Sequence, residues 1–167
     1  MSTNTYTYNR TITSIFASDN MRNVLRDIIS ESRLDPTRLI DSWKILGNAV
    51  QTWLQTGHLS RITIEFFAPG SNRAVNVWEF EIKYDGSGID GDMWVAREHV
   101  RRTVEKAGRP PANASYNVIL QHQPGAPDIP GMVPAEYLSR EGLVGRSSGT
   151  AIATPDIMVG LKYWRAA

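Results

Sequence analysis

The chain has no cysteine. That absence excludes a disulfide framework and thiolate-bound metal, and it suits a reducing compartment. Long apolar runs are missing too. Nothing approaches the ~20 residues of a membrane-spanning helix, and the opening MSTNTYTYNRT has no apolar signal core. A cytoplasmic protein is the expectation, so the N-x-S/T matches at Asn9 and Asn113 read as chance. Neither sign of charge is in excess, with 18 Lys and Arg against 17 Asp and Glu, and no net field draws a polyanion. Histidine is scarce. His58, His99 and His122 fall on separate predicted elements with no ligand spacing, so neither a metal nor another cofactor is expected.

What is present suits one α+β domain spanning 1–167, since 167 residues at 41% hydrophobic can bury a single core. Tyr6 to Phe16 alternates and is rich in β-branched residues, which predicts a strand. Ser18 and Asp19 then precede Met21, Val24, Leu25, Ile28 and Ile29 at helical spacing. Asp35-Pro36 starts a second helix whose stripe, Leu39, Trp43, Leu46, Val50 and Trp53, steps by four and three and stops at Gly57. A hairpin follows: Ile62, Ile64 and Phe66, the turn PGSNR, then Trp78, Phe80, Ile82 and Tyr84. Its one-sided alternation predicts an antiparallel sheet covered by helices on one face.

Residues 84–94, YDGSGIDGDMW, raise the question of a ligand loop. An EF-hand frame fails: counting from Asp85 puts Ile89 at the fifth position and Ala96 at the twelfth. A phosphate cradle is not expected, since neither GxxxxGK(S/T) nor a G-x-G-x-x-G loop is read here and three aspartates would repel phosphate. A Gly-rich turn with Asp90 or Asp92 capping a third helix is the better reading. That helix should bury Met93, Ala96, Val100, Val104 and Ala107. Its outer face, Arg97 to Arg109, could suggest nucleic acid, but Glu98–Arg102 and Arg101–Glu105 pairs favour a solvated surface. Tyr116, Val118, Leu120 and His122 then form another strand.

From Pro124 the pattern breaks. Residues 124–149 hold four of the nine prolines and five of the thirteen glycines, with no sustained period. Aperiodic segments this long inside a domain are usually functional. The chain resumes with Ala151 and Ile152, then Ile157 to Trp164, around a Pro155-Asp156 turn. GRSSG at 145–149 fits a nucleophile elbow, but only Asp156 and no histidine follows Ser147, so that reading is rejected. Glu79 and Glu81, two apart on a polar strand face, read as solvated charge. No nucleophile, base and oxyanion site assemble, so an enzyme is not expected.

The element order, together with MSTNTYTYNRT, LDPTRLIDSWKILGNAVQTWLQTGHL, YDGSGIDGDMW, the PGAPDIPG segment and the terminal YWR, resembles a bacterial HORMA-domain protein of CBASS anti-phage operons. The resemblance implies three helices on an antiparallel sheet, a core over 1–123, and a mobile C-terminal safety belt over 124–167. It implies a closure-motif peptide, from a partner protein or a second HORMA protein, added as a strand to a sheet edge. Carried onto this chain, the peptide would meet Tyr116, Asn117, Val118, Ile119, Leu120 and Gln121, with Trp94 nearby. The belt would include Pro124, Pro127, Pro130, Tyr137, Leu143, Gly149 and Trp164, and the terminal strands would dock near Val75 to Tyr84. Its further implied partners are a cGAS/DncV-like nucleotidyltransferase (CD-NTase), which makes cyclic oligonucleotides and binds the closed form, and an AAA+ ATPase that reopens it, gripping Thr5, Tyr6 and Tyr8. A nucleic-acid binder using Arg97–Arg109 and an enzyme with a dispersed site remain the alternatives.

Overall fold

The computed structural model describes residues 10–84 and 93–167. In chain order these form α1 (Arg10–Glu31), α2 (Thr37–Gln55), β1 (Leu59–Phe67), β2 (Ala74–Lys83), β3 (Trp94–Val95), α3 (Arg97–Ala107), β4 (Ser115–His122), β5 (Leu143–Ala153) and β6 (Met158–Ala166). The strands make one antiparallel sheet in the order β3-β5-β6-β2-β1-β4. Ile62, Ile64 and Phe66 of β1, Trp78 and Phe80 of β2, and Val159 and Leu161 of β6 share a core with the helices. The helices therefore cover one face of the sheet. Arg61, Thr63, Glu65 and Glu79 alternate onto the other.

Helix α2 keeps the start and stop that its sequence signals. The Asp35 carboxylate accepts the Thr37 N–H at 2.9 Å and the Thr37 hydroxyl at 2.6 Å, satisfying a donor that the helix leaves orphaned. At the other end, the His58 N–H reaches the Trp53 carbonyl and the Gly57 N–H reaches that of Leu54. This Schellman closure needs the left-handed backbone that Gly57 takes at φ 76.

Two sequence expectations change. Residues 10–16 are the first turns of α1, not a strand. Thr13 and Ser14 turn their hydroxyls back to the Arg10 and Thr11 carbonyls and are buried, so their β-branched and polar character is absorbed within the helix. Packing of Ala17, Met21, Val24 and Ile28 into the core then overrides local strand propensity. The part of the expected strand before Arg10 lies outside the described residues.

Helix α3 likewise begins at Arg97, preceded by the two-residue strand β3. Trp94 and Val95 pair with Ala153 and Ile152, and the Ala96 N–H donates to the Ala151 carbonyl. Asp90 and Asp92 fall outside the described residues and too far back in the chain to cap α3. Met93 is exposed and Ala96 precedes the helix, so the buried stripe is Val100, Thr103, Val104 and Ala107.

Candidate functional site

Strand β4 is an edge, and its main chain faces two ways. The Gln121 carbonyl accepts the Ser60 hydroxyl of β1's end at 2.9 Å, and the Gln123 N–H donates to the His58 carbonyl at 2.7 Å. N–H and C=O of one residue point to the same neighbour in an antiparallel ladder and alternate along the strand. Asn117, Ile119 and Gln121 therefore pair with β1. Tyr116, Val118 and Leu120 point their N–H and C=O groups away from the sheet, and among the described residues these groups have no partner. Side chains alternate in the other dimension. Tyr116, Val118 and Leu120 pack toward the helix-side core, while Asn117, Ile119 and Gln121 lie on the opposite face.

The segment after β4 wraps this edge. On the helix side the Trp53 indole N–H donates to the Pro127 carbonyl at 2.8 Å, and the Trp53 ring packs at a tilt against His122, centroids 4.5 Å apart. A few residues on, Gly131 runs against the Ile45 side chain of α2. A Cβ placed there would lie 2.9 Å from Ile45 Cδ1, and φ is 90. By Tyr137 the chain has reached the other face, where the Tyr137 hydroxyl donates to Gln121 Oε1 at 3.1 Å. The Leu138 N–H donates to Glu65 Oε2 at 2.9 Å, and Ser139 exchanges backbone bonds with Asn72 and Ala74. Between the wrap, α2 and β4 lies a cleft of about 1200 Å³, larger than most small-molecule pockets.

Two buried carboxylates anchor the wrap on the far face. Glu65 and Glu79 are 0% and 6% exposed. Arg140 Nη1 donates to Glu79 Oε1 at 2.8 Å, Arg61 lies 3.3 Å from Glu79 Oε2, and the Trp164 indole N–H donates to Glu79 as well. The Arg140 guanidinium also rests over the Tyr137 and Trp164 rings, at 5.4 and 5.1 Å. Burial pushes the Glu65 carboxyl above its usual range, opposed by the Leu138 N–H and by Arg140, and among the described residues Glu65 Oε1 has no partner. Glu79 is thus an ion-paired anchor, not the solvated charge its strand position suggests. Glu81, beside Lys83 on the surface, is solvated.

A free edge strand is thus enclosed by a segment that starts on one face of the sheet and ends on the other. Residues 1–167, the whole chain, match the family model described as bacterial HORMA domain 2. This chain belongs to that family. A chain in the crystal structure of the mitotic checkpoint complex is similar with a TM-score of 0.75 at 8% identity, over 93% of this chain and 99% of that one. C. elegans HTP-2 bound to the HIM-3 closure motif is similar at 0.70 and 14%, over 94% and 91%. The E. coli MS115-1 HORMA:CdnC:Trip13 complex contributes a chain at 0.62 and 13%, over 97% and 92%. At these identities the structural likenesses establish the HORMA fold. No curated relative matches at the sequence level.

Within this HORMA domain the expected site residues separate into groups. Tyr116 to Gln121 lie together on β4, although the Tyr116 hydroxyl is committed to α2, accepting from the Leu39 N–H and donating to the Asp35 carbonyl. Trp94 is not beside them. It sits on β3, at the opposite edge of the sheet, because β5 and not β4 pairs with the residues before α3. Pro124, Pro127, Pro130 and Tyr137 belong to the wrapping belt. Leu143 and Gly149 lie on β5 and Trp164 on β6, the strands that follow the irregular wrapping segment. Exposure on both faces near Val144 and register shifts after Ser147 had erased any alternation there. Thr5, Tyr6 and Tyr8 lie outside the described residues.

The competing chemistries find little support in the geometry. Arg97 is held bidentately by the buried Asp27 of α1 at 2.8 and 3.0 Å, Arg101 and Arg102 approach Glu98, and Arg109 donates to the Glu31 carbonyl. Arg97, Arg101 and Arg109 reach α1, whereas Arg102 pairs only within α3. His99 Nε2 lies near Ser148, but it faces the Ser148 carbonyl more closely than the hydroxyl, as a ring N–H donor does and a base cannot. Residues 86–91, GSGIDG, do fit G-x-G-x-x-G. The neighbouring β2 and β3 belong to an antiparallel sheet, and β3 intervenes before α3, which is not the parallel βαβ unit that a dinucleotide loop requires. Sequence reading missed Ile45, Val133, Glu65 and Arg140, each of which depends on where the belt runs.

Proposed function

We propose that this HORMA domain is a peptide-gated adaptor in bacterial anti-phage signalling. A closure-motif peptide adds as a strand to β4, the belt that begins at 124 retains it, and the closed form binds and activates a CD-NTase. The observation that carries this reading is the outward, unpaired main chain of Tyr116, Val118 and Leu120 beneath the belt. An added strand would supply the missing hydrogen bonds, and the belt would have to release from α2 or from Glu65 and Glu79 to let it leave. HTP-2, which shares the fold, is bound to a closure motif, and the E. coli HORMA protein is in a complex with CdnC and Trip13. By that likeness the partners here are a peptide-bearing protein, a cytoplasmic cyclic-oligonucleotide synthase and an AAA+ ATPase that reopens the belt by pulling on Thr5, Tyr6 and Tyr8. The chain itself carries out no catalysis in this scheme.

The test mixes the purified protein, a candidate CD-NTase and a closure peptide, and measures second-messenger production. Production should require both the protein and the peptide. Production without either, or by this chain alone, would overturn the adaptor reading. Deleting residues 1–9 should leave peptide capture intact and stop ATP-driven release; normal release would place the ATPase handle elsewhere.

A further inference from the structure

The two faces of the β4 edge differ in chemistry, and the difference specifies what the captured strand must look like. On the α2 side, Val118 packs against the core, Met132 is half-buried, and Ile45 and Val133 are 45% and 77% exposed. These four apolar side chains line the same cleft beside the outward N–H groups. Charged side chains, Arg33, Asp35, Arg38 and Asp41, line the same cleft with two of each sign. Arg38 stacks on the Tyr116 ring at 4.5 Å, and Asp35 is bound by Thr37. On the opposite side the edge offers Asn117 and Gln121, with Tyr137 bonded to Gln121, while Ile119 is already buried.

Resting on the peptide-capture reading above, we infer that the recognised segment carries apolar side chains at two positions two residues apart, seated against Ile45, Met132 and Val133, and that the intervening position tolerates polar residues. Side chains of a strand added to β4 alternate between the faces with a period of two, whichever direction it runs. The residue beside Val118 therefore points its side chain toward α2, as does the residue two positions away. Burying one Val- or Leu-sized side chain there should change affinity about tenfold to hundredfold. The other face is open and polar and should contribute little. Direction has its own signature. In an antiparallel pairing the α2-facing residues are those whose amides bond to β4, and in a parallel pairing they are the intervening ones.

The probe is a randomised library of linear 12-residue peptides, selected on the full chain. Each recovered peptide is then scanned twice, by single Asp substitution and by single backbone N-methylation. The N-methyl scan reads edge pairing, and alternate positions should abolish binding. The Asp scan reads this inference: two positions with a spacing of two should lose tenfold or more, and the position between them less than threefold. Ile45→Asp and Val133→Asp, both at exposed sites, should weaken the same peptides at least tenfold without changing the melting temperature. Alternating N-methyl sensitivity with no period-two Asp sensitivity, or with indifference to Ile45→Asp and Val133→Asp, would overturn the inference and leave edge capture standing. Loss of alternation in the N-methyl scan, or recovery of no peptide, would overturn both.

Discussion

Glu65 is a carboxylate placed where its charge is costly. Desolvation is the largest influence on it and raises its pKa above the ordinary carboxylate range. A folded-state pKa above the unfolded one means that Glu65 contributes stability at low pH and loses it as pH rises through the folded value. Glu65→Gln, which keeps an acceptor for the Leu138 N–H, should therefore raise the neutral-pH melting temperature by roughly a few degrees. It should also flatten the fall in stability from about pH 4.5 upward, as read from thermal melts across pH. A lower melting temperature at neutral pH would mean that the charge itself anchors the belt. Neighbouring residues of β4 should separate just as sharply. Ile119 donates toward β1, so Ile119→Pro breaks the sheet and should cost about 3 kcal/mol or more. Val118 donates outward, so Val118→Pro should cost about 1 kcal/mol or less while abolishing peptide capture. Urea denaturation and a binding assay on both variants check this, and equal destabilisation by the two would contradict the assigned parity.

The belt is an element without regular structure, held at its far end by polar contacts. Arg140 ties it to Glu79 and to the Trp164 ring of β6. Arg140→Ala removes a charge-assisted hydrogen bond worth roughly 1.5–3 kcal/mol. It should speed release of a captured peptide about tenfold or more, with the association rate changed less than threefold, in stopped-flow or surface-binding kinetics. Unchanged release would place the limiting contact on the α2 side, at Pro127 or Gly131. Elements were legible in the sequence where one physical signal dominated. The four-and-three stripe of α2 and its Asp35-Pro36 and Gly57 ends were readable, as were the alternating strands β1, β2 and β4. The first turns of α1 were not, because Thr11, Ile12, Thr13 and Ile15 carry strand propensity that only contact with the rest of the fold overrides. Nor was β3, two residues long and defined entirely by its pairing with β5. Those failures hid the belt contacts, whereas the strand from Tyr116 was legible from its alternation and its place at the edge was implied only by the resemblance to HORMA proteins.

Across the whole molecule, the proposed function makes the belt the link between two binding events. A peptide favours the closed arrangement by its differential affinity for it, and a partner that recognises only that arrangement gains by the same factor. A shift of about 3 kcal/mol would raise partner occupancy more than a hundredfold at low concentration. All of this depends on β4 being the receiving edge. Residue-resolved amide hydrogen exchange, with and without a library-selected peptide, tests that directly. The account predicts that the amides of Tyr116, Val118 and Leu120 become protected when peptide is added, while those of Asn117, Ile119 and Gln121, already paired to β1, are protected in both states. Outward amides whose exchange is unchanged by bound peptide would contradict it.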